Sequence, residues 1–470
     1  MPLGKLVRCL PGVIAILLLP AAAALSQTTA NSPSIGFADP ADIRGLLAYR
    51  LPDWGYRTWE LGFGLNGSGT DQTAGETRQV SNSFATNLDT DFRLYRENEQ
   101  RIQSLDLSAG GDYQRSHNGT ALNESSGHTL GGRLAAGGFR DQYLNDGPFL
   151  VGAAANVGQS YSERILDRTA NGETVADRSF GRRGSYNVTA RVGWGRVRDV
   201  TPLIRAQRLS ERLTALGHPR LTRAQVQEVA EVLAREQGYR TVLDRPERSF
   251  WDDVLAPMLD PDRPLSTYEI FYLRDVMSED IGPRREGTSL TASYGYGHRR
   301  DDNEVVVRID DRGPFLGITW VRNPTLNHQL AVGLVGSYRT VNYTRDYPER
   351  EDVSTREDYL RGEFSIQHLW TVADRYRLDT SLGFSGRYSE AERDDLRSIR
   401  RDLETRLGSS FRMFVEDNLS LVASLQGSNA QIDAETTGGS QPDIEGEQYR
   451  RAWRWSYRVG LEYYLDRFLY

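Results

Sequence analysis

Six histidines are the side chains best suited to metal or proton-transfer chemistry: His117, His128, His218, His298, His328 and His368. None is paired with another at helical spacing, so the sequence spells out no metal-ligand set. His117 and His128 flank one polar stretch, and Ser116 stands beside the first. With acidic groups elsewhere, this leaves open a hydrolase that uses histidine with serine or aspartate. No nucleophile elbow, P-loop or zinc motif occurs. Asp301-Asp302-Asn303-Glu304 is acidic but lacks the glycine and the terminal glutamate of a calcium loop, and it reads as a solvated loop. The single cysteine, Cys9, lies near the start of the chain. The remainder therefore has no thiolate nucleophile, no cysteine metal site and no disulfide. No cofactor is implied.

A denser chemistry is charge set at every second position. Early segments carry Asp89, Arg93 and Asp106. Late ones carry Arg377, Asp379 and Arg387; Arg400, Asp402, Glu404, Arg406 and Arg412; and Arg450, Arg454, Arg458 and Glu462. In a dry interior these groups would be prohibitively costly. Facing a water-filled lumen they are tolerated and tune ion or solute selectivity. Opposite signs on one strand imply either a transverse field or a ladder of ion pairs that braces the wall. The candidate lumen-lining set is Asp89, Arg93, Asp106, Arg377, Asp379, Arg400, Asp402, Glu404, Arg406, Arg412, Arg454, Arg458 and Glu462.

The elements that must position these charges are strands. Apolar and polar residues alternate over long runs, as one-sided burial in a sheet requires. Trp59, Leu61, Phe63 and Leu65 share one face, as do Val80, Phe84, Leu88, Phe92 and Leu94. The pattern recurs up to Trp453, Trp455, Tyr457, Val459 and Leu461. It predicts about fourteen strands, an even number, as a closed bacterial barrel requires. One of them lies between Glu304 and Val321, where Asp310 to Pro314 break the alternation and leave its facing undefined. Each run reaches the roughly 9–11 residues that a tilted strand needs to cross a bilayer. A soluble sandwich or propeller is the alternative, but its strands average about 5–6 residues. Connections alternate long and short: Gly67 to Arg78, Ser116 to Gly127 and Arg164 to Arg183 read as long loops, Arg96 to Gln100 as a short turn. The fold class expected is an all-β transmembrane antiparallel barrel with an all-α, four-helix insert.

The termini and composition agree with this class. Lys5 and Arg8 precede the apolar Gly12 to Leu19 and the small-residue stretch PAAAALSQ, which together read as a signal peptide over residues 1–26. Residues 27–55 then form an N-terminal periplasmic segment, 56–198 strands 1–6, and 288–470 strands 7–14. Mean hydropathy is −0.55, which excludes a helical membrane protein but not a barrel, where only every second residue meets lipid. The formal charge of −7 becomes more negative without Lys5 and Arg8. That argues against a nucleic-acid partner, which wants a basic surface.

Residues 199–287 read differently. Thr201 is placed as an N-cap before Pro202, and Ala206, Leu209, Leu213 and Leu216 form one face up to Gly217. Thr222 and Gln225 form a capping box that opens a second helix, expected to end at Gly238. A third is expected over Glu247 to Ala256. A fourth opens with a second capping box, Ser266 and Glu269, and runs towards Gly282-Pro283. Being the sixth connection, the insert falls on the same side of the sheet as the first strand's start.

The last residues, Tyr463 to Tyr470, resemble the terminal strand of Gram-negative outer-membrane β-barrel proteins. Tyr464, Phe468 and Tyr470 match the alternating, aromatic-ended pattern; Asp466 does not, and Tyr463 with Tyr464 suggests a bulge. Through alternation the resemblance covers most of the mature chain, and it is to the class, not to a particular family within it. It implies an outer-membrane location and contact with outer-membrane lipid; strand parity then puts the insert in the periplasm, where residues 199–287 would meet a protein partner or gate the pore. The function expected is a channel or transport component for small polar solutes. A non-conducting envelope scaffold and an outer-membrane hydrolase working at His117 or His128 stay open.

Overall fold

The computed structural model describes residues 49–463 except 51, 75–76, 120–122, 146, 171–172, 260–262, 304, 349–350, 373–375, 394–395, 417–418 and 438–445. The expected signal peptide and the terminal residues 464–470 lie outside the described residues.

Alternation makes one sheet of fourteen strands, each antiparallel to its sequence neighbours. They are β1 (Trp54–Ala74), β2 (Thr77–Glu97), β3 (Arg101–Gly119), β4 (Asn123–Tyr143), β5 (Phe149–Ala170), β6 (Glu173–Asp199) and β7 (Arg285–Asp302). There follow β8 (Val306–Thr325), β9 (His328–Asp346), β10 (Val353–Val372), β11 (Tyr376–Arg393), β12 (Leu396–Glu416), β13 (Leu419–Thr437) and β14 (Gly446–Tyr463). β1 and β14 are the two edges, and no ladder joins them among the described residues. The closure expected from the sequence is therefore not formed here. Every other ladder except β6–β7 has its register fixed by a short connection. A β1–β14 ladder would have none.

Two further expectations need correction. The polar stretches assigned to long loops are mostly paired strand. β1 and β2 remain in register from Trp54↔Glu97 to Ala74↔Thr77, and β5 and β6 up to Ala170↔Glu173. Polar side chains mark contact with water; they do not stop the backbone from pairing, and a ladder satisfies its donors and acceptors as well as solvent does. The strand with undefined facing is β8, which runs straight through Pro314. Arg312↔Thr340 and Phe315↔Ser337 hold one register on both sides of it.

The apolar face looks outward. Trp59 is 77% exposed and Trp453 69%, and neither packs into a common interior. Trp59 stacks edge-on against Phe92 across the β1–β2 ladder, a cross-strand pairing that fixes the sheet without a core. The polar face is concave. Seven consecutive strands, β2 to β8, line one open cavity of about 520 Å³, mostly with inward residues.

Among the described residues, most buried apolar side chains belong to the insert. Its described residues form five α-helices, not four: α1 (Thr201–Ala215), α2 (Arg223–Ala234), α3 (Glu236–Val242), α4 (Pro246–Leu255), a 3-10 turn at Ala256–Met258, and α5 (Thr267–Ser278). The expected second helix breaks at Arg235 and restarts as α3, which runs through Gly238. Both capping boxes form: Thr222 with Gln225 and Ser266 with Glu269. Thr201 does not cap α1. The Asp199 carboxylate accepts from the Thr201 N–H at 2.8 Å, and the Thr201 hydroxyl accepts from the Arg284 N–H at 2.8 Å. Ile204, Ala206, Leu209 and Leu213 of α1 are buried with Val229, Ala230, Val254, Leu273 and Val276.

Candidate functional site

The concave wall is built on glycines. A side chain on one strand lies flat over a glycine of the next, because no Cβ is there to lift it. Arg133 crosses Gly110 to reach Asp89 at 2.6 Å. Arg191 crosses Gly152 to reach Asp141 at 2.5 Å. A methyl group on Gly152 would stand 2.0 Å from the Asp141 carboxylate. The charges thus lie along the wall instead of projecting across the cavity.

The register puts every residue of the candidate set on this face. Arg93 and Asp106 stand opposite one another and line the cavity with Asp91, Arg299 and Asp311. On the far half of the sheet many of the charges neutralise one another within single strands. Residues two apart share a face, so Arg400 bonds Asp402 at 2.9 Å, Arg406 bonds Glu404 at 2.5 Å, and Arg377 bonds Asp379 at 2.7 Å. Arg458 and Arg412 both lean on Glu462, at 3.6 and 3.3 Å. Arg454 faces Ser428 of β13. Of the two arrangements open from the sequence, this half has the ladder of ion pairs.

The histidines are dispersed. His117 and His128 fall on the outward face of the β3–β4 hairpin, opposite Ser126 and Arg115. Ser116, next in sequence to His117, points to the other face, so these two do not pair. His117 contacts Glu124 at 3.6 Å and His298 contacts Asp310 at 2.8 Å. His328 and His368 meet at 3.2 Å, with His328 stacked on Trp370. No cluster of three metal-ligating side chains occurs among the described residues.

The arrangement that sequence reasoning missed lies where the insert meets the short-turn end of the sheet. The insert hangs from a paired stem: Asp199 pairs with Arg285, and the Val200 N–H donates to the Arg284 carbonyl at 2.8 Å. At that stem, the end of β6 and the insert together touch strands far around the sheet. On one side, Arg196 donates to the carbonyls of Glu99 and Asn98 in the β2–β3 turn, at 2.7 and 3.1 Å, and its guanidinium covers the Tyr143 ring. Arg198 bonds the Glu99 carboxylate at 3.0 Å. Helix α3 packs against β1, near Tyr49, whose hydroxyl is pushed up by burial and by Asp199, Glu231, Glu97 and Glu99.

On the other side, Arg208 of α1 holds Glu279 and donates to Asn327 in the β8–β9 turn at 3.2 Å. Arg212 bonds the same Glu279 at 2.5 Å. The next residue, Asp280, reaches the sheet itself. Its carboxylate is shared by Arg377 of β11 and by Arg412 of β12 at 2.7 Å. Arg284 is fully buried. It donates to the Ile281 and Asn327 carbonyls at 3.0 and 3.2 Å and to the Thr371 hydroxyl at 2.8 Å. Burial, with the neighbouring cations Arg208 and Arg377, pushes it down to about 9, which still leaves it charged at neutral pH.

Such contacts need the short-turn ends of β1, β2–β3, β8–β9, β10, β11 and β12 to gather around one insert. The result is a folded cap held at the short-turn end of the sheet by charge-assisted hydrogen bonds.

No family model matches the chain, and no curated protein matches it. Among solved structures, it is similar to the β domain of the Bordetella autotransporter BrkA, with 8% identity over 87% of this chain and 98% of that one, at a TM-score of 0.18. It is similar to the alcaligin outer-membrane receptor FauA of Bordetella pertussis, with 8% identity over 88% and 75%, at 0.25. It is also similar to the outer-membrane protease OmpT of Escherichia coli, with 9% identity over 88% and 97%, at 0.18. Superpositions this loose carry no argument about function.

Proposed function

We propose that the chain is a Gram-negative outer-membrane β-barrel, a channel or transport component for small polar solutes whose helical insert gates the inner mouth. The apolar outward face and the polar concave face support the barrel. In hydrocarbon, the unpaired edges of β1 and β14 would leave a row of backbone groups unsatisfied, so in the membrane the two edges pair with each other. The candidate set from Asp89 to Glu462 then lines the lumen. With β1 starting on the periplasmic side, strand parity puts the insert there too.

One observation carries the gating half of this reading. Asp280, on the insert's way out to β7, holds Arg377 and Arg412 on strands β11 and β12. A domain that only docked a partner would have no need to grip the lumen wall on the side away from its own stem.

The test is single-channel recording of the full chain in planar bilayers, beside Asp280→Asn. The wild type should conduct rarely, and the variant should raise the open probability by about tenfold, the scale of a typical coupling between two states. Closure is tested separately by gel mobility, since a closed barrel runs faster folded than heat-unfolded. Absence of conductance from both proteins would sink the channel reading, and equal open probability would sink the gate.

A further inference from the structure

We infer that Arg377 and Arg412 form a binding site for a carboxylate-bearing solute, and that Asp280 occupies this site as an internal stand-in when the insert is closed. The inference rests on the gated-channel reading and names the ligand class that opens the gate.

The first observation is the register. Arg377 and Arg412 are direct cross-strand partners on the polar face. Like charges in that position repel and destabilise a ladder. The pair is sustained because one carboxylate sits between the two guanidiniums, accepting from Nη1 of Arg377 and from Nη1 of Arg412 at 2.7 Å. Take that carboxylate away and two arginines face one another with a vacancy between them. The flanking acids do not fill it. Asp379 accepts from Arg377 Nε at 2.7 Å and Glu462 from Arg412 Nη2 at 3.3 Å. Each serves its own arginine from the side, and the Nη1 atoms stay directed at Asp280.

The second observation is the origin of the occupant. Asp280 belongs to the insert, 97 residues from Arg377 and 132 from Arg412 in sequence. The other carboxylates on these arginines come from the strands. The occupant is thus the one member of the cluster that leaves when the insert moves.

The third observation is the surplus of positive charge nearby. Arg284 is buried and bonds only carbonyls and a hydroxyl, with its Nη1 making no hydrogen bond among the described residues. Its charge is hydrogen-bonded to no carboxylate, with Asp379 acting on it only through space, and it adds to the pull of this corner on an anion. The side chains of Arg377 and Arg412 keep 21% and 31% of their surface exposed, so a solute in the lumen has access to them.

Linkage then gives the behaviour. A carboxylate solute and Asp280 compete for the same two guanidiniums, so solute binding favours the state in which the insert has let go. Removing Asp280's charge removes the competitor.

The test is isothermal titration of succinate into the full chain in detergent at constant ionic strength, beside Asp280→Asn and the double variant Arg377→Gln/Arg412→Gln. Asp280→Asn should bind succinate about tenfold more tightly than the wild type, and the double variant should not bind. Heat-modifiable gel mobility confirms that each variant is folded, and Asp280→Ala serves as a second removal of the competitor. Equal affinity in wild type and Asp280→Asn, or binding that survives in the double variant, overturns the site. Bilayer recording separates the two proposals. If Asp280→Asn opens the pore but succinate neither binds it more tightly nor opens the wild type, the gate stands and the carboxylate site falls. If succinate binds Asp280→Asn more tightly but the variant leaves open probability unchanged, the site stands and the gate falls.

Discussion

The charges on the late strands and the charges under the insert are made of the same residue types but are wired differently. Arg400 and Asp402 are two residues apart and meet because a strand repeats its facing every second position. Arg412 and Asp280 are 132 residues apart and meet because a helical domain is folded against a curved sheet. The first kind of pair exists wherever the strand exists. The second exists only in one arrangement of the molecule. Pairs written into a strand therefore set the character of the wall, and pairs written between distant segments report, and hold, its state.

The sharpest way to break this contrast is at Glu279, an enclosed carboxylate of the junction, with only 6% of its side chain exposed. Glu279→Gln leaves Arg208 and Arg212 with a neutral partner. It should destabilise the closed insert by about 3–5 kcal/mol, the usual consequence of breaking a buried ion pair. The measurement is amide-exchange protection of α1 and α5, with strand protection unchanged. Next comes Asp280→Asn, whose effect on open probability is given above. Because Asp280 is partly exposed, its loss should cost far less protection than that of Glu279. An equal loss would mean that the cap is one rigid block with no separate latch.

A smaller effect distinguishes the insert's internal staples from its attachment. Glu269 is held down to about 2, first by the Ser266 N–H, then by its hydroxyl and by His218. A carboxyl lowered in the folded state stabilises fully above its unfolded value and loses that contribution as pH falls through the folded one. Protection of the first turn of α5 should therefore fade between about pH 5 and pH 2, and Glu269→Gln should flatten that dependence. A pH profile unchanged by the substitution would remove Glu269 from the account. The smallest effect belongs to Asp402→Asn. Its partner Arg400 is 53% exposed, and such pairs contribute about 0–1 kcal/mol. Thermal stability should barely move, and open probability should not move at all.

How far these features can be read in advance follows from the same contrast. Strand facing was legible because period-two alternation is local, and it correctly set Trp59 and Trp453 outside. The capping boxes at Thr222 and Ser266 were legible because four consecutive residues suffice to form one. The helix count was not. Gly238 reads as a stop in sequence, yet it sits inside α3 with open space around its Cα, so nothing there opposes helix. Hairpin lengths are not legible because polar residues read as loop in sequence, whereas here they pair nearly to the tips. The junction was the least legible part. Arg377 and Arg412 stood out as inward charges, but their partner lay across the fold. One local signal did exist: Glu279 and Asp280 follow directly on the C-terminal end of α5, where the helix dipole disfavours negative charge. Two carboxylates in that place call for cations from elsewhere.

The long hairpins carry a consequence of their own. β5 and β6 stay paired to within two residues of their tip, at 22 and 27 residues each, about twice the span a bilayer requires. A protease must draw a stretch of chain into its cleft in extended, unpaired form, and a ladder zipped to its end offers none. On the surface of a cell, such ribbons would survive digestion that strips ordinary loops, and any attacker would have to unzip strand from strand before it could cut.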